Sequence, residues 1–555
     1  MVQPKEPIAG VVYHPPEAVE RYRAAGLFSG QTLGQALKEA FVRHADRTAL
    51  VSPDGTLTYR ELDDLSARAG AAFLRLGLRP LDRMVFQLGN VPEFFAALYG
   101  CFRTGIIPVC NLVSHRESEI VTCAGLSGAR AHIIQGDFKY DLRAVAAAAR
   151  AAHPALEHVI VARGERSGDA LAFRDLLDRE DGEAAQATLA ALEIDPFNAG
   201  IFQLSGGTTG IPKIIPRFHY EYLYHCLAWA EVSAMDESTV CYWPLPAVHN
   251  AAMACFNTPT HLLGGRVCID QRHDPEVFLG TIERERVTFS GAALPIIVRA
   301  VDSGLVDRHD LSSVKCFISL GETVAVERDL KLPGNHIYGM AEGLLMRTLD
   351  EDPAEVRQRG IGRPVSPHDE MKLVKIGTEA EVEPGEAGEL LVRGPYTIQG
   401  FYNVPEHNAR AFTADGFYRT GDLMRLREID GRGYYFFVGR AKDNIDRAME
   451  KISAEEVESA VLRHPDVREC MVIGMPDRQY GERVCAYVIL RPDAPAMTVQ
   501  SLGAFLQTTG LAKFKWPERI EVVDNFPTTS VGKTSKALLR DDIRRKLEDE
   551  AKLIA

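Results

Sequence analysis

The chain has no C-x-x-C pair, and its ten cysteines are scattered along 555 residues. That spacing excludes the common structural-zinc patterns and a disulfide framework, and it points to a reducing compartment. No stretch reaches the roughly 18–20 apolar residues of a membrane span. The first residues, "MVQPKEPIAGVVYHPPEAVERY", lack the apolar run of a secretory signal. We therefore expect a cytoplasmic protein with no membrane partner. Positive charge is in short supply as well: 63 Lys and Arg stand against 76 Asp and Glu, a formal net charge of −13. Such a chain is a poor match for a phosphate backbone, so no nucleic-acid partner is expected. Internal repeats are absent.

What is present is enough chain for more than one core. From about residue 30 to residue 320, short β-rich runs alternate with helical patterns. "TVCYWPL" is followed by an apolar helical stretch from Asn250, the turn Gly264-Gly265, "RVCID", the helix "PEVFLGTIERERV", and the strands "TFSGA" and "VKCFIS". Alternation of this kind predicts parallel sheets covered by helices. After about Pro364 the pattern changes to strands with polar turns, more like a small barrel or meander. A compact α+β tail follows "YYFFVGRAKD", with helices at Ala454–Arg463 and Ser501–Thr508, strands near "CMVIGM" and "CAYVIL", and a last helix from Lys536. The domain boundary is placed at Gly439–Asp443.

The most unusual run is "QLSGGTTGIPKIIPR", Gln203 to Arg217. "AGIFQL" before it and "KIIPR" after it read as strands, and "FHYEYLYHCLAWA" has helical spacing. Glycines let backbone N–H groups approach an anion closely, and successive N–H groups form a nest for it. In Ser205, Gly206, Gly207, Thr208, Thr209 and Gly210 that nest is supplemented by hydroxyls, and Lys213 adds a point charge. The set suits a polyphosphate; the plainer reading is a simple connection between strands. It is not a Walker loop, which requires Gly and Lys to be adjacent and a helix to follow; here Pro212 precedes Lys213 and a strand follows. Gly532-Lys533-Thr534 imitates a Walker tail, but Pro527 stands where Gly is required.

S-G-G-T-T-G-x-P-K resembles the phosphate-loop signature of the adenylate-forming superfamily, which includes acyl-CoA synthetases, luciferases and peptide-synthetase adenylation domains. Five further signatures follow the family order: "TYREL" at Thr58–Leu62, "YGMAEG" at Tyr338–Gly343, "YRTGDL" at Tyr418–Leu423, "GRAKDNI" at Gly439–Ile445 and "PTTSVGK" at Pro527–Lys533. The resemblance covers nearly the whole chain. It implies an α/β protein. The large N-terminal adenylation domain, residues 1–439, would have two helix-covered sheets and a small β-barrel-like subdomain. A hinge at 440–443 would join it to a small mobile α+β C-terminal domain at 444–555.

The implied cofactors are ATP and Mg2+. A carboxylate attacks the α-phosphate to give acyl-AMP and pyrophosphate, and a thiol then displaces AMP. By resemblance, Asp422 accepts hydrogen bonds from the ribose hydroxyls, Glu342 is the metal carboxylate, and Arg440 contacts ribose or phosphates. Tyr338, Gly339, Met340 and Gly321 line the nucleotide. Lys533 bridges the carboxylate and the α-phosphate, and Lys442 is the hinge residue whose rotation exchanges Lys533 for the loop near Arg447–Ser453.

"VSHRESEI", "PRFHYEY", His249-Asn250 and "RGPYTIQGFY" are similar to one branch, the stand-alone aryl-acid ligases. Those enzymes take 2,3-dihydroxybenzoate or salicylate and serve the phosphopantetheine arm of an aryl carrier protein in siderophore and aryl-capped peptide pathways. The resemblance makes Asn250 the reader of the ortho hydroxyl and sets His249 beside the ring and carboxylate. Cys255 stands where Ser would suit a second hydroxyl, and Leu345 where Val would leave room for it, so salicylate is favoured. The chain also departs from the branch. Ala251 and Ala252 replace an aromatic and a proline and enlarge the pocket, so a ring-substituted or bicyclic acid would fit. Leu320 stands where glycine is common. Ala448-Met449 replaces Gly-Gly on the path of the pantetheine arm, which leaves an aryl-CoA ligase as the alternative. A catalytically idle scaffold is disfavoured by the retention of Lys213, Glu342, Asp422 and Lys533.

Overall fold

The computed structural model describes residues 3–166, 168–205, 213–320, 323–324, 326–447, 450–477, 480–509, 511, 513–527 and 535–554. They fall into two compact units. The first holds the residues up to 370 together with Val392–Tyr418, and the second holds Met371–Leu391 and the residues from Arg419 onward. The boundary read at Gly439–Asp443 falls inside the second unit, where a strand pair gives way to the C-terminal α+β body.

The first unit contains the two helix-covered sheets. One runs in space through Leu171–Ala172, His158–Val161, Ala131–Ile134, Arg83–Gln87, Ile107–Cys110, Ala199–Leu204 (β1) and Ile214–Phe218 (β2). Its strands are parallel except for β1 and β2, which pair antiparallel on either side of the glycine-rich run. Helix α1 (His219–Val232) follows β2 directly. The second sheet has a parallel centre of Arg266–Cys268, Val240–Tyr242, Phe289–Ala293, Cys316–Leu320 and Gly334–Gly339 (β3). Strand β4 (Leu345–Arg347) returns antiparallel to β3 at its edge. Parallel strands covered on both faces are continuous apolar runs, and "AGIFQL" is one of them. A single apolar cluster joins Phe86 and Ile133 of the first sheet, Phe289 and Ile318 of the second, and Phe94, Phe95, Tyr222 and Trp229 of the helices packed on them.

Local chemistry explains where these helices start. "TYREL" is a capping box: Thr58 Oγ1 accepts from Glu61 N, and Thr58 N donates to Glu61 Oε2 at 2.7 Å, opening the helix Tyr59–Arg75. The apolar stretch from Asn250 is helical as expected, but Ala252–Asn257 winds as a π-helix before α winding resumes at Thr258–Leu263. Sequence patterning does not distinguish those two windings.

The strands after Pro364 form a meander rather than a closed barrel. Glu370–Val374, Ala387–Arg393, Tyr418–Ile429 (β5) and Arg432–Arg440 (β6) lie in chain order. The C-terminal body is a sheet of Asn444–Arg447, Glu450–Ser453, Val467–Asp477, Gly481–Leu490 and Arg519–Val522. Helices Ala454–Val461 (α2) and Val499–Leu506 pack on it through Val457, Val461, Val472, Val484 and Leu502, and Lys536–Ile554 packs through Ile473, Tyr487, Leu539 and Ile543. Among the described residues no helix is long and apolar enough to cross a membrane.

Candidate functional site

β1 and β2 end at the two residues that close the base of the glycine-rich run. Ser205 N donates to Lys213 O at 2.9 Å, and Lys213 N donates to Ser205 Oγ at 3.0 Å. Gly206, Gly207, Thr208, Thr209 and Gly210 lie outside the described residues. The Lys213 ammonium sits 5.7 Å from the centre of the Phe401 ring, where the chain leaves the run.

Glu342 lies at the tip of the hairpin that joins β3 to β4. Across that hairpin Tyr338 pairs with Met346 and Gly339 with Leu345. Met340 N donates to Leu344 O and Gly343 N to Met340 O, and Ile398 N donates to Glu342 O at 2.8 Å. Gly343 has φ +146°, and a Cβ there would run into Tyr396 O and Thr397 Cα. Only glycine fits this close approach. The half-buried Glu342 carboxylate is therefore carried on a backbone fixed from two sides.

Of the residues read as an acid pocket, four belong to the large apolar cluster of the first unit. Cys255 and Leu345 are buried in it, with Ala251 and Leu320 packed against it, beside Tyr222, Cys226 and Met253. Leu345 fills the space beside Gly339 that a Cβ would need. Asn250 is buried, and its Oδ1 accepts from the Tyr222 hydroxyl at 2.9 Å. That bond orients the amide and leaves its NH2 end as the donor for a ligand. His249 is exposed, and its Nδ1 accepts from Ala251 N at 3.2 Å, so the imidazole also caps the helix start. Burial pushes the Cys255 thiol well above its ordinary pKa, so it is a small apolar wall and not a thiolate.

In the second unit, Asp422 of β5 lies opposite Arg440 of β6, and Arg440 Nε is 3.1 Å from Asp422 Oδ1. Gly421 reaches φ +70°, and Thr420 Oγ1 accepts from Asp422 N, which turns the "TGD" backbone and aims the carboxylate. Asp422 is only 9% exposed and Arg440 46%. The backbone of Lys442 lies in the 3-10 turn Ala441–Asp443. Gly321 and Lys533 lie outside the described residues, as do Ala448 and Met449.

Reading the sequence missed Arg217, Glu221 and Tyr222, although "PRFHYEY" was noticed. Arg217 and Glu221 are four residues apart, the spacing of an ordinary surface pair on a helix. Here both are buried. Arg217 Nε and Nη2 bond the two oxygens of Glu221 at 2.8 and 2.7 Å. Arg217 Nη1 donates to Ala341 O at 2.8 Å, and Nη2 also reaches Tyr396 O at 3.2 Å and His225 Nδ1 at 3.1 Å. His225 stacks on the Tyr396 ring at 4.5 Å, and burial holds its pKa well below the ordinary range, so it is neutral and accepts. Removing one partner of such a pair costs about 3–5 kcal/mol, because the other charge is left buried. The only sequence signal was the arginine directly before a helix otherwise rich in aromatics.

The set was also tested against a divalent cation. Among the described residues no three His, Cys, Asp or Glu side chains converge to hold a metal unaided. One half-buried carboxylate on a fixed hairpin fits magnesium, which takes most of its ligands from substrate phosphates and water.

Comparison with known proteins accounts for this geometry. Residues 37–402 match the AMP-binding enzyme model, and residues 456–533 match the AMP-binding enzyme C-terminal domain. The 2,3-dihydroxybenzoate-AMP ligase of Bacillus subtilis (strain 168) is 39% identical over 548 residues, covering 97% of this chain and 99% of that protein. A salicylyl-CoA synthase / salicylate adenylyltransferase of a Streptomyces species is 38% identical over 97% of this chain and 98% of its own length. The apo structure of MbtA from Mycobacterium smegmatis superposes with a TM-score of 0.73 at 33% identity, covering 96% of this chain and 99% of that one.

Proposed function

Because the chain belongs to the AMP-binding enzyme family, we propose that it is an aryl acid–AMP ligase. It activates an ortho-hydroxy aryl acid with ATP and passes the acyl group to the phosphopantetheine thiol of a carrier protein. The setting would be siderophore or aryl-capped peptide assembly. Relatives named for 2,3-dihydroxybenzoate and for salicylate support the substrate class.

The observation that carries this reading is the oriented Asn250 amide at the edge of an apolar cluster. In a salicylate-like acid the ortho O–H donates to the acid's own carboxylate. Its oxygen is left as an acceptor, and the Asn250 NH2 is the matching donor. Cys255 and Leu345 offer no partner to a second hydroxyl. Ala251 leaves room for ring substituents or a fused ring.

In the first half-reaction a carboxylate oxygen bonds to the α-phosphorus, and the bond from that phosphorus to the pyrophosphate oxygen breaks. Ser205 and Lys213 hold the base of the phosphate loop, Asp422 accepts from the ribose hydroxyls, and Arg440 contacts the ribose or the phosphates. Lys533 holds the carboxylate against the α-phosphate, a role that suits a point charge on a long stem. Magnesium, held by Glu342, would supply charge neutralisation on the phosphates. In the second half-reaction the thiol sulfur bonds to the carbonyl carbon and AMP leaves with the bonding electrons. A turn at Lys442 would take Lys533 away between the two halves. The relative named both for a CoA thioester and for adenylyl transfer keeps an aryl-CoA ligase as the second reading.

ATP–pyrophosphate exchange over benzoate, salicylate, 2,3-dihydroxybenzoate, aminobenzoates, picolinates and bicyclic acids tests the proposal. Salicylate or a larger ortho-hydroxy acid should give the fastest exchange, and benzoate slow exchange. Exchange driven best by benzoate, which has no ortho hydroxyl, would overturn it. Carrier protein and CoA, offered separately as acceptors, decide between the two readings.

A further inference from the structure

We propose that Arg217 is a positioning residue for the nucleotide step, tying the strand that leaves the phosphate loop to the hairpin that carries Glu342. The inference rests on the reading of Glu342 as the metal carboxylate. Arg217 is fully buried in the first unit, four residues beyond Lys213. Its Nη1 holds the carbonyl of Ala341, the residue before Glu342, and its Nη2 holds Tyr396 O. A second path runs parallel to the first. Tyr402 N donates to Ile214 O of β2 at 2.9 Å, and Ile398 N of the same segment donates to Glu342 O at 2.8 Å. Gly343 packs against that segment at Tyr396 and Thr397, on the far side of Glu342.

Stability alone does not call for this arrangement. A buried ion pair can generally be replaced by apolar side chains of similar volume with little loss, and sometimes with gain. What an apolar pair cannot do is donate to two carbonyls on separate segments. A guanidinium does so because its planar fork carries five donors. Glu221 then has a clear part. It holds the fork in plane with both oxygens, while its Oε1 also takes Phe218 N at 2.9 Å at the start of α1. The strand Ile214–Phe218 is thereby tied to the hairpin that carries Glu342.

The test compares full-length wild type with Arg217→Met, Glu221→Met, the double variant and Arg217→Lys. Each single Met variant should lower Tm, and the double variant should recover much of the loss. In the double variant, hydrogen exchange should show lost protection at the Gly343 and Ile398 amides. Its pyrophosphate exchange should fall by about 100-fold, the scale of a misplacement remote from the chemistry, with the KM for magnesium-ATP raised. Thioester formation from supplied aryl-AMP should stay near wild type. Arg217→Lys, which keeps the charge but not the fork, should lie between, and it carries the test if the double variant does not fold. Unchanged protection at Gly343 and Ile398, or full recovery of pyrophosphate exchange in the double variant, would overturn the proposal. Failure of the metal reading looks different: Glu342→Gln would leave the magnesium requirement unchanged, while loss of amide protection in the Arg217 variants would still establish the tether.

Discussion

Glu342 and Asp422 are both carboxylates assigned to the nucleotide, and different contacts fix the two backbones. Glu342 is held through its main chain: Ile398 N on its carbonyl, Arg217 on the carbonyl before it, and a glycine wedged against Tyr396 after it. Asp422 is held in a paired strand with its N–H on Thr420 Oγ1, and its side chain also meets Arg440 of the opposing strand, which is almost half exposed. Backbone anchoring fixes the course of a loop through its amides and carbonyls. Anchoring by charge makes the carboxylate and its partner a single unit, which ribose hydroxyls must share or displace. The first arrangement suits a fixed reference point, and the second suits a group that exchanges partners during turnover.

The comparison can be broken most severely by removing the charge assigned to the chemistry itself. Lys533→Ala should reduce pyrophosphate exchange by at least about 100- to 1,000-fold, the range for losing one preorganised transition-state contact. It should leave thioester formation from supplied aryl-AMP largely intact. Normal exchange by this variant would remove Lys533 from the mechanism.

Next in size are the two carboxylates themselves. Glu342→Gln should lower exchange by about 100-fold and raise the magnesium requirement, with a smaller change in Tm than Asp422→Asn. Asp422→Asn should instead raise the KM for ATP and also change Tm, because the Arg440 guanidinium loses its charged partner. If both substitutions leave Tm alone, the contrast between the two modes of holding is wrong.

A smaller effect is expected in the acid cluster. Cys255→Ser combined with Leu345→Val should move preference toward 2,3-dihydroxybenzoate by about 10- to 100-fold, which corresponds to giving one buried hydroxyl a partner. The measurement is the ratio of kcat/KM for the two acids. A wild type that already prefers the dihydroxy acid would show that Cys255 and Leu345 do not face the 3-position.

The smallest effect lies in the second unit's acidic cluster. Burial, with help from Glu458, Asp422 and Asp443 and against the pull of Lys536, pushes Glu455 up to about 7 from its ordinary 4.5. The folded state therefore keeps a proton that the unfolded chain gives up. Stability from this group is fully present below about pH 4.5 and is lost as pH rises through 7. Glu455→Gln should flatten that part of the Tm-against-pH curve and leave the rest unchanged. An unaltered slope would assign it to other groups.

Much of this was legible in the sequence because it rests on periodicity and on local chemistry. The buried strand before the glycine-rich run, the helix after it and the meander after Pro364 all follow from short-range rules. The reading of Asn250, Ala251, Cys255 and Leu345 as one pocket came only through family resemblance. What stayed hidden depends on partners far along the chain. The distance of 28 residues between Tyr222 and Asn250 conceals the bond that orients the amide. Arg217 and Glu221 at helical spacing look like a solvated pair, and nothing local reveals that 124 residues later a carbonyl waits for the same guanidinium. Asp369 is a similar case: burial raises its carboxyl to about 8, with the Tyr396 hydroxyl on one oxygen, and no neighbour in sequence announces it.

The π winding of Ala252–Asn257 gives the acid cluster a separable history. A π turn holds one residue more than an α turn, so deletion of a single codon within it could restore ordinary winding. The helix Thr258–Leu263 and the sheet beneath would keep their register. Because the π turn already absorbs the extra residue, Asn250 and Ala251 would keep their phase on the helix, and only the residues inside the turn would be re-aimed. Cys255, which lies inside the turn, would be re-aimed, so one wall of the acid cluster would change through one in-frame deletion with no substitution.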